Sequence, residues 1–256
     1  MKLSPRYVEK PWGRQALPPM FAGGGERIGE VWLVGDDDLP LLAKYIFTGE
    51  KLSVQVHPSD SQARRLGLAS GKAECWYVLD AEPGATIGLG LRREVSEEDL
   101  RAAARDGSIE DLIDWRPVNA GDTFDVAPGT IHSIGGGISL VEFQQNADVT
   151  FRLYDFGRPR ELHLEDAIAV ADRAPFPKAR ARHMVPGEDA VIVDGPLFTF
   201  VHAHQDRLQD RQRWILPLEG RVSSGLETAV AGECLLVSPG QRVEFDRARV
   251  LIGAKA

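Results

Sequence analysis

Four polar side chains sit on short apolar runs at spacings that could bring them to one metal ion. In Leu52-Ser-Val-Gln-Val-His-Pro58, strand alternation puts Ser53, Gln55 and His57 on one face and Val54 and Val56 on the other. A sheet face with three polar groups is either wetted or the wall of a cavity, and a Gln-x-His pair alone does not separate the two. The run Gly71-Lys-Ala-Glu-Cys-Trp-Tyr-Val78 says more, because Glu74 is a carboxylate on a strand otherwise suited to burial. A buried carboxylate is costly unless it is paired or bound to a cation; an ion pair with Lys72 or an arginine is the plain alternative. His132 follows the Pro128-Gly129 turn, where a ring nitrogen can be aimed inward from the start of a strand. Two imidazoles, one carboxylate and one amide oxygen suit Zn²⁺, and also Fe²⁺, Mn²⁺ or Co²⁺. With a single anionic ligand a divalent ion keeps a net charge of about +1, enough to polarise a carbonyl or stabilise an enediolate. A closed structural zinc site would more often use thiolates. Cys75 and Cys234 are far apart, lack a CxxC partner and read as buried reduced thiols.

The elements that must position these groups are short β-runs closed by Gly or Pro turns: residues 29–34, 41–47, 52–57, 74–79, 123–126, 139–144 and 150–154. Many short strands at this spacing favour a sandwich or barrel. Helices are predicted over 59–66, from Ser96-Glu-Glu-Asp99 onward with Leu100, Ala103 and Ala104 on one face, and over 164–171, followed by a connector through Pro186. An internal repeat stands out. Gly121-Asp-Thr-Phe-Asp-Val-Ala-Pro-Gly129 matches Gly232-Glu-Cys-Leu-Leu-Val-Ser-Pro-Gly240, each downstream of a Trp-led apolar strand at Trp76 or Trp214. This reads as duplication of one β-barrel unit, each copy a strand, a tight Pro-Gly turn and a returning strand. Where the first copy has His132, the second has Val243, so only the first offers a histidine. His202 and His204 lack ligand partners at the needed place, and His163 is expected to pack at a helix entry. The glycine runs at 23–25 and 135–137 lack the strand-to-helix setting of a phosphate loop and are expected to be flexible turns near the site.

Composition narrows the partners. The 256 residues carry a formal charge of −8, which argues against a nucleic acid or an anionic membrane surface. An anionic substrate would therefore need a local basic pocket. No run approaches the ~20 apolar residues that span a bilayer, and the N-terminus has no signal-like apolar stretch, so a cytoplasmic location is expected. The oligomeric state is left open.

Ser53-Val-Gln-Val-His-Pro58, Gly71-Lys-Ala-Glu-Cys-Trp-Tyr77, Pro128-Gly-Thr-Ile-His132 and the stretch from Glu142 to Asp155 closely resemble the type I phosphomannose isomerase family, as do Lys10-Pro-Trp-Gly13 and Ile28-Gly-Glu-Val-Trp32. The resemblance covers roughly residues 5 to 170. It departs at Ser59, where many members are acidic, and weakens in the C-terminal part. What it implies is a mainly β, cupin (RmlC-like jelly-roll) barrel with short helical insertions over 1–175, followed by a smaller degenerate cupin barrel without metal ligands over 176–256. It also implies a zinc-dependent isomerase of mannose 6-phosphate and fructose 6-phosphate, with metal ligands on Gln55, His57, Glu74 and His132. On that footing the metal orients the sugar's C1 and C2 oxygens and stabilises a cis-enediolate, with Glu142 and Lys72 handling protons. Arg152 would clamp phosphate or steady charge on a sugar oxygen, unless it is spent on a salt bridge with Asp148 or Asp155. Ser53 and Lys72 would also contact the phosphosugar. Two rivals are an isomerase of another phosphorylated sugar, separable by assays on several sugar phosphates, and a non-catalytic sugar-binding or regulatory cupin, separable by testing Glu142→Gln for turnover.

Overall fold

The computed structural model of the protein describes all residues except 23–24 and 36–37, so most of the turn expected at 23–25 lies outside the described residues. Two antiparallel sheets make the first unit. The larger runs β1 (Ser4–Arg14), β2 (Ile28–Val34), β3 (Leu41–Thr48), β10 (Ile138–Gln145), β5 (Glu74–Ala81), β8 (Asp122–Val126) and β12 (Ala181–His183). The smaller runs β11 (Phe151–Tyr154), β4 (Val54–Val56), β9 (His132–Ile134), β6 (Thr86–Leu91) and β7 (Ile113–Pro117). A third sheet forms the second unit, in the order β13 (Ala190–Asp194), β14 (Phe198–Ala203), β18 (Glu244–Lys255), β15 (Arg213–Ser224) and β16 (Glu227–Val230), with β17 (Leu235–Val237) paired to β15.

Side-chain alternation on the larger sheet decides what lies where. Ile46, Trp76, Val78 and Leu140 point inward and meet Ile87, Leu89 and Ile134 of the smaller sheet. Tyr45, Phe47, Tyr77 and Phe143 point outward and meet Phe200, Trp214 and Leu251 of the second unit. The larger sheet is thus covered on both faces, which explains why β3 is buried at every position and reads as a continuous apolar run. The outer face of the smaller sheet is covered by α2 (Glu97–Asp106) and α4 (Leu164–Val170), through Leu100, Ala103, Ala104 and Ile168. Both helices fall where the periodicity put them. The hydroxyl of Ser96 accepts from the Asp99 amide and caps α2. Ser59 forms a capping box with Gln62 on α1 (Asp60–Arg65).

The repeat is visible in the backbone. Gly121 and Gly232 both take φ of +92°, a conformation that side chains rarely adopt. The following acid caps the preceding turn in each copy: the Asn119 amide donates to Asp122 and the Val230 amide to Glu233. The Pro-Gly turns close identically, Thr130 N–H to Ala127 O and Gln241 N–H to Ser238 O. The two tryptophans, however, are not equivalent. Trp76 lies opposite Phe124, whereas Trp214 lies opposite Leu236, one register step further along. One step flips the face, so Trp76 points into the first unit while Trp214 packs on Phe143 between the units. Register also aligns Glu74, opposite Val126, with Arg213, opposite Val237. Arg213 is fully buried and spends all its N–H groups on Asp206, Arg211 O, Ser238 O and Gln241 O.

Several elements were not legible. β1, β6, β7 and α3 (Ile109–Leu112) were not expected, and the segment read as a connector contributes β12 to the larger sheet. The N-terminal Met1 and Leu3 in turn bond to Leu236 and Cys234 of the second unit. The turn at 135–137, expected to be flexible and near the site, is instead tied down: Thr48 Oγ1 donates to Gly135 O and the Gly137 amide to Thr48 O. It lies at the end of β9 away from His132.

Candidate metal centre

Gln55, His57 and His132 come from the smaller sheet and Glu74 from the larger, and the two sheets bring them together. β4 is only three residues long, shorter than the predicted 52–57, yet its flanks keep the alternation. Gln55 pairs with His132 on β9 and with Arg152 on β11. The ligand atoms of His57, Glu74 and His132 lie within 4.8 Å of one another, all buried. His57 Nε2 is 3.4 Å from Glu74 Oε2, and His132 Nε2 is 3.4 Å from Glu74 Oε1. Gln55 Nε2 is 3.2 Å from His132 Nε2; which end of that amide faces the ring is an assignment of the hydrogen-bond network, and a half-turn presents Oε1 to the same point.

Each ring is oriented from behind. His57 Nδ1 lies 2.8 Å from Val149 O and His132 Nδ1 2.9 Å from Thr130 O. A carbonyl accepts, so both rings carry their proton on Nδ1 and turn the Nε2 lone pair inward, as metal-binding histidines do. Burial, helped by Lys72, pushes the His57 imidazole down to about 3, and burial likewise lowers His132. Both rings are therefore neutral. Burial by itself would raise the Glu74 carboxyl, but it is held well below the usual range, with Lys72 the largest opposing cause. Among the described residues neither Glu74 oxygen has a hydrogen-bond partner, although Lys72 Nζ lies 2.9 Å from Oε2; the contact has the distance of an ion pair without the angles of a hydrogen bond. A charged carboxylate 1% exposed with both oxygens unbonded, faced by two inward lone pairs, is a donor set that fits a divalent cation.

Lys72 enters the site through a close backbone approach. A Cβ on Gly71 would stand 2.5 Å from Pro58 O, so glycine lets the chain fold back on Pro58 and sets Lys72 Nζ 3.2 Å from His57 Nε2. Glu142 lies one strand over. Its Oε2 accepts from Trp76 Nε1 at 2.8 Å, and its Oε1 is 2.8 Å from Lys44 and 3.8 Å from Lys72. Burial would lower the Lys44 ammonium, yet Glu142 and Glu30 overcome it and raise its pKa, keeping it charged. Glu30 in turn pairs with Lys10 and Lys44. Lys44, Glu30 and Lys10 were missed from the sequence. The signal was present for Lys44, a charge inside an apolar strand, by the same logic that selected Glu74.

Arg152 faces the same pocket, and Asp155 is taken by Arg158 and Arg160 instead. Arg152 donates to Glu161 O through Nη1, while its buried Nε has no partner among the described residues. Burial first, then Arg160, lowers its pKa. Ser53 Oγ donates to Gln55 Oε1 at 3.1 Å. The cavity over these groups holds about 140 Å³, walled by Lys10, Lys44, Lys72, Arg152 and Arg160 against the carboxylates of Glu30, Glu142 and Asp148. A chain of net charge −8 thus gathers a locally basic pocket. The other histidines stay outside it: His163 accepts from the Arg152 amide at the start of α4, His183 pairs with Asp122, His202 stacks on Tyr77, and His204 pairs with Asp189. Both cysteines are buried and free, and no described helix is long and apolar enough to cross a membrane.

Two facing β-sheets that enclose inward-aimed histidines and a buried carboxylate, followed by a second unit that repeats the same turn, define a cupin whose buried His-Glu-His cluster could hold a metal ion. No family profile matches the chain. The mannose-6-phosphate isomerase of Streptococcus mutans is 38% identical over 203 residues, 73% of this chain and 64% of that protein. YvyI of Bacillus subtilis, named for the same activity, is 30% identical over 212 residues, 66% of this chain and 67% of that protein. The crystal structure of the mannose 6-phosphate isomerase from Bacillus subtilis superimposes with a TM-score of 0.81 at 22% identity, covering 98% of both chains, and shows the shared fold. The chain belongs to the mannose-6-phosphate isomerase family, of type I. It spans between half and two thirds of the length of the first curated relatives it matches.

Proposed function

We propose that the protein interconverts mannose 6-phosphate and fructose 6-phosphate in the cytoplasm, using one zinc ion held by Gln55, His57, Glu74 and His132. The reading is carried by the buried Glu74 carboxylate with two unbonded oxygens between two inward-aimed imidazoles. It is supported by the names of the relatives. A bound divalent cation supplies positive charge against the negative charge that develops on the sugar oxygens.

Moving a proton between adjacent carbons needs a group that takes it and one that returns it. Lys72 and Glu142 lie 3.8 Å apart on the cavity wall and are the proton-handling pair. Trp76 donates to one oxygen of Glu142 and the Lys44 ammonium lies 2.8 Å from the other, so its carboxylate is oriented before substrate arrives. Arg152, opposite Gln55 in the ladder and on the cavity wall, takes the phosphate or a sugar oxygen. Ser53 holds the amide of Gln55 and adds a hydroxyl for the phosphosugar.

The test measures metal content and aldose-to-ketose conversion together. Activity on mannose 6-phosphate should vanish on chelation and return with Zn²⁺. Glu74→Gln should lose metal and activity in parallel. Full activity in metal-free protein would overturn the site assignment. Inertness toward both hexose phosphates in the zinc-loaded enzyme would overturn the substrate.

A further inference from the structure

Three lysines and two arginines line the metal pocket, but they are not equally committed. Lys10, Lys44 and Lys72 each lie against a carboxylate, of Glu30, Glu142 and Glu74 in turn, at 3.3, 2.8 and 2.9 Å. The arginine end is different. Arg158 and Arg160 share the Asp155 carboxylate, with Glu50 3.8 Å from Arg158. Arg152 has no carboxylate within ion-pair distance among the described residues; it meets the carbonyl of Glu161 instead. Asp148 also lines the pocket, without an ion pair to any of the three. Positive charge is therefore unspent where β11 meets the segment that follows it.

That segment is folded so as to deliver Arg160. Phe156 takes a φ of +53° and Gly157 one of +79°, and this left-handed pair, uncommon for an aromatic residue, turns the chain back on itself. Lys51 and Arg158 lie over the Phe156 ring at 5.1 and 5.6 Å and hold the turn. Arg160 then grips the buried Asp155 with one edge of its guanidinium, Nε to Oδ2 at 2.5 Å and Nη2 to Oδ1 at 2.6 Å. Its remaining nitrogen, Nη1, makes no hydrogen bond among the described residues and keeps surface open to solvent. The next residues lie along Arg152: Glu161 O accepts from its Nη1, and the His163 amide donates to Arg152 O. Arg152 Nη2 is left open in the same way. Burial first, and then the charge of Arg160, lowers the Arg152 pKa; an anion between two such cations relieves their repulsion.

We propose that Arg160 is a further substrate-contacting residue, which with Arg152 forms a two-guanidinium clamp on the phosphate of the sugar phosphate, an assignment that rests on the phosphosugar reading. Arg160 Nη1 and Arg152 Nη2 donate to the phosphate oxygens. The lysines, already matched by carboxylates, are left to the sugar end.

Calorimetric titration of inorganic phosphate into the zinc-loaded full chain tests the clamp without turnover, with circular dichroism and metal analysis confirming that each variant is folded and loaded. Saturable binding of one phosphate per chain is expected. Arg160→Gln should weaken it by about ten- to a hundredfold, the worth of a hydrogen bond to a charged group. Arg158→Gln removes a partner of Asp155 without touching the pocket wall and should leave binding within about threefold of the parent. Should Arg160→Gln not fold, Arg160→Lys keeps a cation beside Asp155 but lacks the fork, and should weaken phosphate about tenfold. On mannose 6-phosphate the folded Arg160 variant should show a raised KM with kcat changed far less. Absence of saturable phosphate binding by the parent overturns the proposal, as does unchanged binding or unchanged KM in the folded Arg160 variants. An equal loss in Arg158→Gln would make Arg160 only a tie within its segment and overturn it too. A parent that binds phosphate through Arg160 yet is inert toward mannose 6-phosphate keeps the clamp and overturns the isomerase reading instead.

Discussion

Glu30→Gln isolates the charged row that backs the metal pocket. Glu30 is buried, accepts from Trp32 Nε1 at 2.6 Å, and pairs with Lys10 at 3.3 Å and Lys44 at 3.5 Å. Burial raises its carboxyl, but Lys44, Lys10 and the Trp32 hydrogen bond prevail and bring it from 4.5 to about 2. A fall of that size is worth about 3 kcal/mol of folding stability. A depressed carboxylate stabilises the fold fully above its unfolded value, and the contribution drains away as the pH drops from about 4.5 towards 2. The glutamine variant keeps the shape and permanently lacks the charge. At neutral pH it should be less stable than the parent by about 3 kcal/mol, and the gap should narrow on acidification, with the parent's acid limb the steeper. Urea unfolding of both proteins from neutral pH down to about pH 3 measures the gap and its slope. A variant within about 0.5 kcal/mol of the parent at neutral pH, or two parallel acid limbs, would refute the reasoning. Lys44 keeps Glu142 as a partner in the variant, so the loss should appear in stability before it appears in turnover.

Glu142→Gln should cut turnover by about 10²–10⁴-fold while metal content, read by elemental analysis, stays at the parent value. Arg152→Lys should raise KM by about tenfold, because a lysine lacks the planar fork that grips phosphate, and steady-state kinetics would show whether kcat falls less than kcat/KM. Asp206→Asn should cost about 3–5 kcal/mol, since it leaves the Arg213 guanidinium buried without its carboxylate. Denaturant unfolding of the metal-free protein checks that cost independently of the metal.

The candidate cluster was legible because strand alternation is a hard geometric rule. Polar residues at every second place of an apolar run must share a face, and Gln55, His57 and Glu74 obeyed it even where the regular strand proved shorter than expected. Both capped helices were legible because Ser59 and Ser96 announce them locally. What escaped depends on partners distant in the chain. β6 carries Gly88 and Gly90, which weaken a strand pattern, and becomes a strand by pairing with β9 and β7. β12 forms by joining the edge of the larger sheet. Lys44 and Glu30 could be seen as charges in apolar company, but their link to Glu142 follows from the order β2-β3-β10-β5, which the sequence does not state. The face of Trp214 turned on a single register step, finer than an alignment by motif can resolve.

Arg213 occupies in the second unit the ladder position that Glu74 holds in the first. A guanidinium is a charge bolted to the chain, so it cannot be stripped by a chelator, outcompeted by another ion or lost on dilution. On the proposed function the first unit must therefore take a cation from its surroundings, while the second carries its own. Under metal starvation the second half can go on offering a finished surface for the first to fold against.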